Sequence, residues 1–121
     1  MNAIIYHDSK CSKSRQALDY LNDHNVSVEI KLYLDKGITR AEILDILELL
    51  NVDIIEILRE KEKVFNDKYA SMILSRAKII NAIIEDPILL QRPIILIKSK
   101  GIGAIARSEE SIVKLLNESN N

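Results

Sequence analysis

Two short stretches of this chain are apolar at every position, and a third alternates. Ala3, Ile4, Ile5 and Tyr6 form the first unbroken run; Ile94, Ile95, Leu96 and Ile97 form the second. Runs this short and this apolar fit strands buried on both faces of a sheet. Val26, Val28, Ile30 and Leu32 instead alternate with Ser27, Glu29 and Lys31. A period of two with one polar face predicts a strand at a sheet edge. Between the first two strands, Ser14, Ala17, Leu18 and Leu21 recur at helical spacing. They predict a helix from Cys11 or Ser12 to Asp23, stopped by Asn25 in a left-handed conformation. The opening is therefore a β-α-β unit, a parallel pair with a right-handed crossover.

The middle reads as helical. Thr39 and Glu42 have capping-box spacing ahead of Ile43, Ile46, Leu47 and Leu50, with Asn51 as the stop. Asp53 is placed to cap a short helix that turns Ile54, Ile57 and Leu58 inward, and the polar run 59–63 closes that segment. The stretch around Asn66 and Asp67 reads as irregular. Ile79, Ile80, Ile83 and Ile84 mark a helix that ends before Pro87. Lys98-Ser99-Lys100-Gly101 looks like a hairpin turn into an antiparallel strand from Ile102 to Ala106. Glu109 and Glu110 suit the first turn of a last helix that packs Ile112, Leu115 and Leu116 inward and frays from Asn117. This order predicts an α/β fold: a four-stranded mixed sheet covered by helices, apolar strands central, the alternating strand at an edge.

Composition narrows the class. A length of 121 residues suits one domain spanning the chain, 1–121. With 47% hydrophobic and 29% charged residues, the balance is that of an ordinary soluble protein. A net charge of −1 and the absence of Trp argue against nucleic acid as a partner. No apolar run approaches the roughly 20 residues of a membrane span, so no membrane partner is expected. The start reads as a strand and not as a signal peptide. The single cysteine excludes an internal disulfide and any multi-cysteine metal cluster, which fits a reducing, cytoplasmic location without a bound metal.

That cysteine, Cys11, falls where the first strand hands over to the first helix. Unpaired N–H groups and the positive end of the helix dipole there favour thiolate over thiol, and the same donors suit an oxyanion. His7, Lys10, Lys13 and Arg15 are nearby cations, and Asp8 opposes them. Two readings stand side by side: a small buried hydrophobe, the common fate of a lone cysteine, or a nucleophile. Arg59, Arg92 and Arg107 are each most simply surface arginines. Together they match a tetrahedral oxyanion, whose oxygens fit guanidinium forks.

The segment Tyr6-His7-Asp8-Ser9-Lys10-Cys11-Ser12-Lys13-Ser14-Arg15 resembles the active-site loop of the glutaredoxin-coupled arsenate reductase family. Leu32-Tyr33-Leu34 is similar to a strand end of that family, and Ile57-Leu58-Arg59 to one of its arginine-bearing segments. Asp86 to Ile94 resembles its Pro-x-Leu-x-x-Arg-Pro-Ile stretch, and Arg107-Ser108-Glu109-Glu110 its last helix start. The resemblance implies a three-layer thioredoxin-like fold with a helical insertion between strands 2 and 3. It implies Cys11 as the nucleophile toward arsenate, with His7 and Ser14 favouring its thiolate. Arg59, Arg92 and Arg107 would hold the oxyanion, and Pro93 would be a cis-proline beside the site. Glutathione would be the external reductant and glutaredoxin the protein partner, with no bound cofactor. Asp8 and Ser9 depart from the family's usual asparagine and proline. The alternatives are a monothiol oxidoreductase acting on glutathione mixed disulfides, or a thioredoxin-fold regulator that binds a protein partner. A Cys-x-x-Cys switch is ruled out, because residue 14 is serine.

Overall fold

The protein is described by a computed structural model, which covers residues 1–71 and 74–120. Its strands are β1 (Asn2–Tyr6), β2 (Ser27–Lys31), β3 (Ile94–Ile97) and β4 (Ile102–Ile105). Among the described residues they form one mixed sheet in the order β2-β1-β3-β4. β1 runs parallel to β2 and antiparallel to β3, which pairs antiparallel with β4. The two all-apolar runs occupy the centre, as their patterns predict. β2 takes an edge, and there its apolar face is only half covered: Val26 is buried, while Ile30 and Leu32 are exposed.

The helices are α1 (Ser12–Asp23), α2 (Tyr33–Lys36), α3 (Arg40–Leu50), α4 (Lys63–Lys68), α5 (Arg76–Glu85) and α6 (Glu109–Ser119). The chain between β2 and β3 carries α2 to α5 and no strand among the described residues. The pleat sorts the core into two layers. Ala3, Ile5, Ile95 and Ile97 face α1 and α6 through Ala17, Leu21, Ile112 and Leu115. Tyr6, Ile94 and Leu96 face the helical segment through Ile43, Ile46, Ile80 and Ile83. The result is the thioredoxin-like three-layer arrangement implied by the resemblance.

Local signals explain most boundaries. Thr39 Oγ1 accepts the Glu42 N–H at 3.1 Å, and the Glu42 carboxylate accepts the Thr39 N–H at 3.1 Å, closing the capping box. Asn25 and Asn51 take left-handed conformations at φ 60° and 54° and stop their helices. Four expectations are corrected. Asn66 and Asp67 lie inside α4, held by burial of Phe65 and by the Lys63–Asp67 ion pair at 3.0 Å. Leu32-Tyr33-Leu34 does not end a strand; it turns into α2, with Tyr33 buried in the helical layer. Asp53 makes no side-chain cap, and residues 54–57 form a 3-10 turn. The last helix does not fray at Asn117, because Ser119 is buried and its hydroxyl donates to Leu116 O at 2.7 Å.

Candidate active site

β1 ends at Tyr6, and the next residues turn sharply. The His7 N–H still bonds to Lys31 O, at 3.0 Å, which extends the parallel pairing by one residue. Asp8 then folds the loop on itself. Its carbonyl accepts the Cys11 N–H and its Oδ1 accepts the Lys10 N–H, both at 3.0 Å. This leaves Cys11 as the residue that caps α1, with extended dihedrals (φ −93°, ψ 122°) and a partly exposed thiol.

Two influences meet at that thiol. Burial raises its pKa. The N–H groups of Ser14 and Lys13 and the charges of Arg92 and Arg107 oppose burial and outweigh it, so the pKa lies below its ordinary value. The N–H groups do not close a side-chain cap hydrogen bond; they act as the open donor end of the helix.

Ser14 ties the loop together. It is fully buried, and its Oγ lies 2.6 Å from His7 Nδ1 and accepts the Asp8 N–H at 3.0 Å. With its ring proton on Nε2, His7 accepts the Ser14 hydroxyl proton, and both buried groups are satisfied. Burial also lowers the pKa of His7 despite the pull of Asp8, so the ring is held toward its neutral form.

The arginines come from remote parts of the chain. Arg92 precedes Pro93 across a cis peptide bond, and Pro93 is buried. Arg92 Nε stands 2.9 Å from Asp8 Oδ2, with the side chains 14% and 11% exposed. This contact is an ion pair by distance but lacks hydrogen-bond direction. Arg92 Nε and Nη1 therefore have no hydrogen-bond partner among the described residues. Arg107 follows β4, where the Ala106 N–H bonds to Pro93 O, and its Nη1 donates to Arg92 O at 2.6 Å. Arg59 is held by a short antiparallel bridge between Leu58 and Leu90, and its guanidinium pairs with Glu62 at 2.7 Å. Arg59, Glu62, Gln91 and Arg107 line one open cleft.

The fold thus gathers His7, Ser14, Cys11, Arg92, Arg107 and Pro93 around one loop. Arg59 shares a cleft with Arg107 but is not among the charges that shift Cys11. Lys10, Lys13 and Arg15 stay exposed, and Arg15 donates to Ser9 O at 3.0 Å. Two contributors escaped the sequence reading. Tyr33 is buried, its hydroxyl lacks a hydrogen-bond partner among the described residues, and burial pushes its pKa well up even though Arg92 pulls it down. Glu62, the partner of Arg59, lay in a run read only as polar. The Leu32-Tyr33-Leu34 motif was the available signal for Tyr33, and the three-residue spacing from Arg59 was the signal for Glu62.

Comparison with known proteins places the chain in a family. The model described as the ArsC family matches residues 6–116. An arsenate reductase of Haemophilus influenzae is 32% identical over 118 residues, covering 96% of this chain and all of its own length. A global transcriptional regulator, Spx 2 of Bacillus cereus, is 31% identical and covers 93% of this chain and 86% of its own. The solved arsenate reductase from Vibrio cholerae superposes with a TM-score of 0.87 at 26% identity, covering 95% of this chain and 98% of that one.

Proposed function

The chain belongs to the ArsC family, and from that premise we propose that it reduces arsenate to arsenite through Cys11, with glutathione and glutaredoxin supplying the electrons. One observation carries the reading. The chain's only cysteine caps α1 with a lowered pKa, under the charges of Arg92 and Arg107. The Cys11 thiolate attacks arsenic, and an arsenate hydroxyl takes a proton from solvent and leaves as water. A glutathione thiolate then attacks Cys11 Sγ. The arsenic departs with the S–As electron pair as arsenite, leaving a Cys11–glutathione disulfide. The thiol of glutaredoxin takes the glutathione and frees Cys11. Arg92 and Arg107, with Arg59 further along the cleft, neutralise the oxyanion, while Ser14 and His7 hold the loop. Such thiol chemistry belongs to a reducing compartment, the cytoplasm.

The test compares the protein with Cys11→Ser in an arsenate reduction assay containing glutathione and glutaredoxin. Turnover that disappears in the variant is expected. Turnover no higher than background in the unaltered protein sinks the reading.

A second reading has its own observation. Arg59 and Arg92 already face the carboxylates of Glu62 and Asp8. The reacting S–S bond of a mixed disulfide carries no charge and has no need to displace them, which favours monothiol exchange on glutathione mixed disulfides. Exchange activity with no arsenate turnover selects this alternative.

A further inference from the structure

Asp8 brings a negative charge to a loop built to attract one. Its Oδ2 stands 2.9 Å from Arg92 Nε, and both side chains are largely withdrawn from water. Its Oδ1 is separately engaged by the Lys10 N–H, which fixes the carboxylate in place. Arg59 is occupied in the same manner by Glu62. Two of the three guanidiniums, those of Arg59 and Arg92, thus already face a carboxylate. Arg92 nevertheless keeps Nε and Nη1 buried and without a hydrogen-bond partner among the described residues. Buried guanidinium N–H groups without acceptors are costly. The ion pair with Asp8 offsets their charge without meeting their directional need.

We infer that Asp8 is a specificity-determining residue, whose carboxylate competes with an incoming oxyanion for the Arg92 guanidinium. This inference rests on the reading of the Cys11 loop as an oxyanion site. An anion that reaches Arg92 must displace Asp8 or bind beside it. A like charge within about 4–6 Å acts against the entering group, and more strongly against a dianion than a monoanion. The pair therefore makes the site selective for ligands of low charge.

The experiment measures protection of Cys11 from iodoacetamide by sulfate, a dianion that Cys11 cannot reduce. Asp8→Asn keeps an Oδ1 acceptor for the Lys10 N–H and replaces the charged Oδ2 that faces Arg92 with a neutral amide nitrogen. The half-protecting sulfate concentration is expected to fall about tenfold in Asp8→Asn, the effect of removing one close like charge. The gain should vanish when Asp8→Asn is combined with Arg92→Ala, because the two effects share one contact. Asp8→Ser repeats the comparison with a different short acceptor, in case the asparagine perturbs the fold. Equal sulfate requirements in the unaltered protein and both Asp8 variants overturn the inference, as does a gain that persists without Arg92. Arsenate turnover measured on the same samples separates the two claims. A sulfate gain without turnover removes arsenate as substrate and leaves Asp8 in its role; turnover without a sulfate gain does the reverse.

Discussion

Ser14 Oγ lies 2.6 Å from His7 Nδ1, and both side chains are buried directly beneath the Cys11 loop. Ser14 also offers its N–H to Cys11 and its hydroxyl oxygen to the Asp8 N–H. One residue therefore links the nucleophile, the imidazole and the turn that precedes them. Ser14→Ala removes the acceptor of the Asp8 N–H and the hydroxyl that pairs with His7 Nδ1. Leaving buried polar groups unsatisfied costs on the order of 1–3 kcal/mol. Urea titration should show a midpoint reduced accordingly, and an unchanged midpoint would exclude a bond of consequence there.

Cys11 should titrate below its ordinary value, because helix N–H groups and two arginines outweigh its burial. The thiolate is the charged form, so removing a neighbouring cation disfavours it and moves the pKa up. The pH dependence of iodoacetamide alkylation reports this midpoint. It should rise in Arg92→Ala and again in Arg107→Ala, since both charges act on the thiol. The Ser14 and Lys13 N–H groups remain in these variants and keep part of the depression. A midpoint indifferent to both substitutions contradicts the field assigned to the arginines.

His7 should make stability depend on pH on the acid side. Its folded pKa is lowered, chiefly by burial. Between that value and the unfolded value of about 6.5, the unfolded chain binds more protons than the folded one. The contribution is therefore complete above pH 6.5 and is lost as pH falls through the folded pKa. Thermal melts from pH 7.5 down to pH 5 should show this loss in the unaltered protein and a shallower one in His7→Gln. Equal slopes in the two proteins count against a proton-sensitive His7.

Gly103 sits in β4 beneath α3. A Cβ there would approach Leu50 Cδ1 and Leu96 Cδ2 to 2.7 Å and the Ile95 carbonyl oxygen to 2.9 Å. The leucine tips can shift, but the carbonyl belongs to the neighbouring central strand. Gly103→Ala should cost about 1–3 kcal/mol through overpacking. Chemical denaturation measures it, and a neutral result would mean that α3 rides up on the sheet freely.

The family motifs around Cys11 were legible because they are contiguous, and so were the strand runs and the Thr39–Glu42 cap. Helix α4 was not legible. Its six residues bury one large side chain, Phe65, and so small an apolar face has no period to read. Tyr33 was misplaced for a related reason: its neighbours Leu32 and Leu34 are exposed, so the apolar triplet looked like strand when only its middle member is core.

What the sequence by itself determined is local: β1 and β3 apolar throughout, β2 alternating, Cys11 at the mouth of α1, and no second cysteine to resolve an adduct. Periodicity, capping and composition act over a few residues, so they survive in one dimension. What only the tertiary structure decided is the state of the charges. Asp8 was visible as a carboxylate beside an anion site, but its partner Arg92 lies 84 residues on, at the entry to β3, the strand that pairs with β1. Arg107 reaches the loop only because β4 pairs with β3. An ion pair between distant residues leaves no trace in local pattern, because the energy that selects it exists only once the fold brings the two charges within a few ångströms.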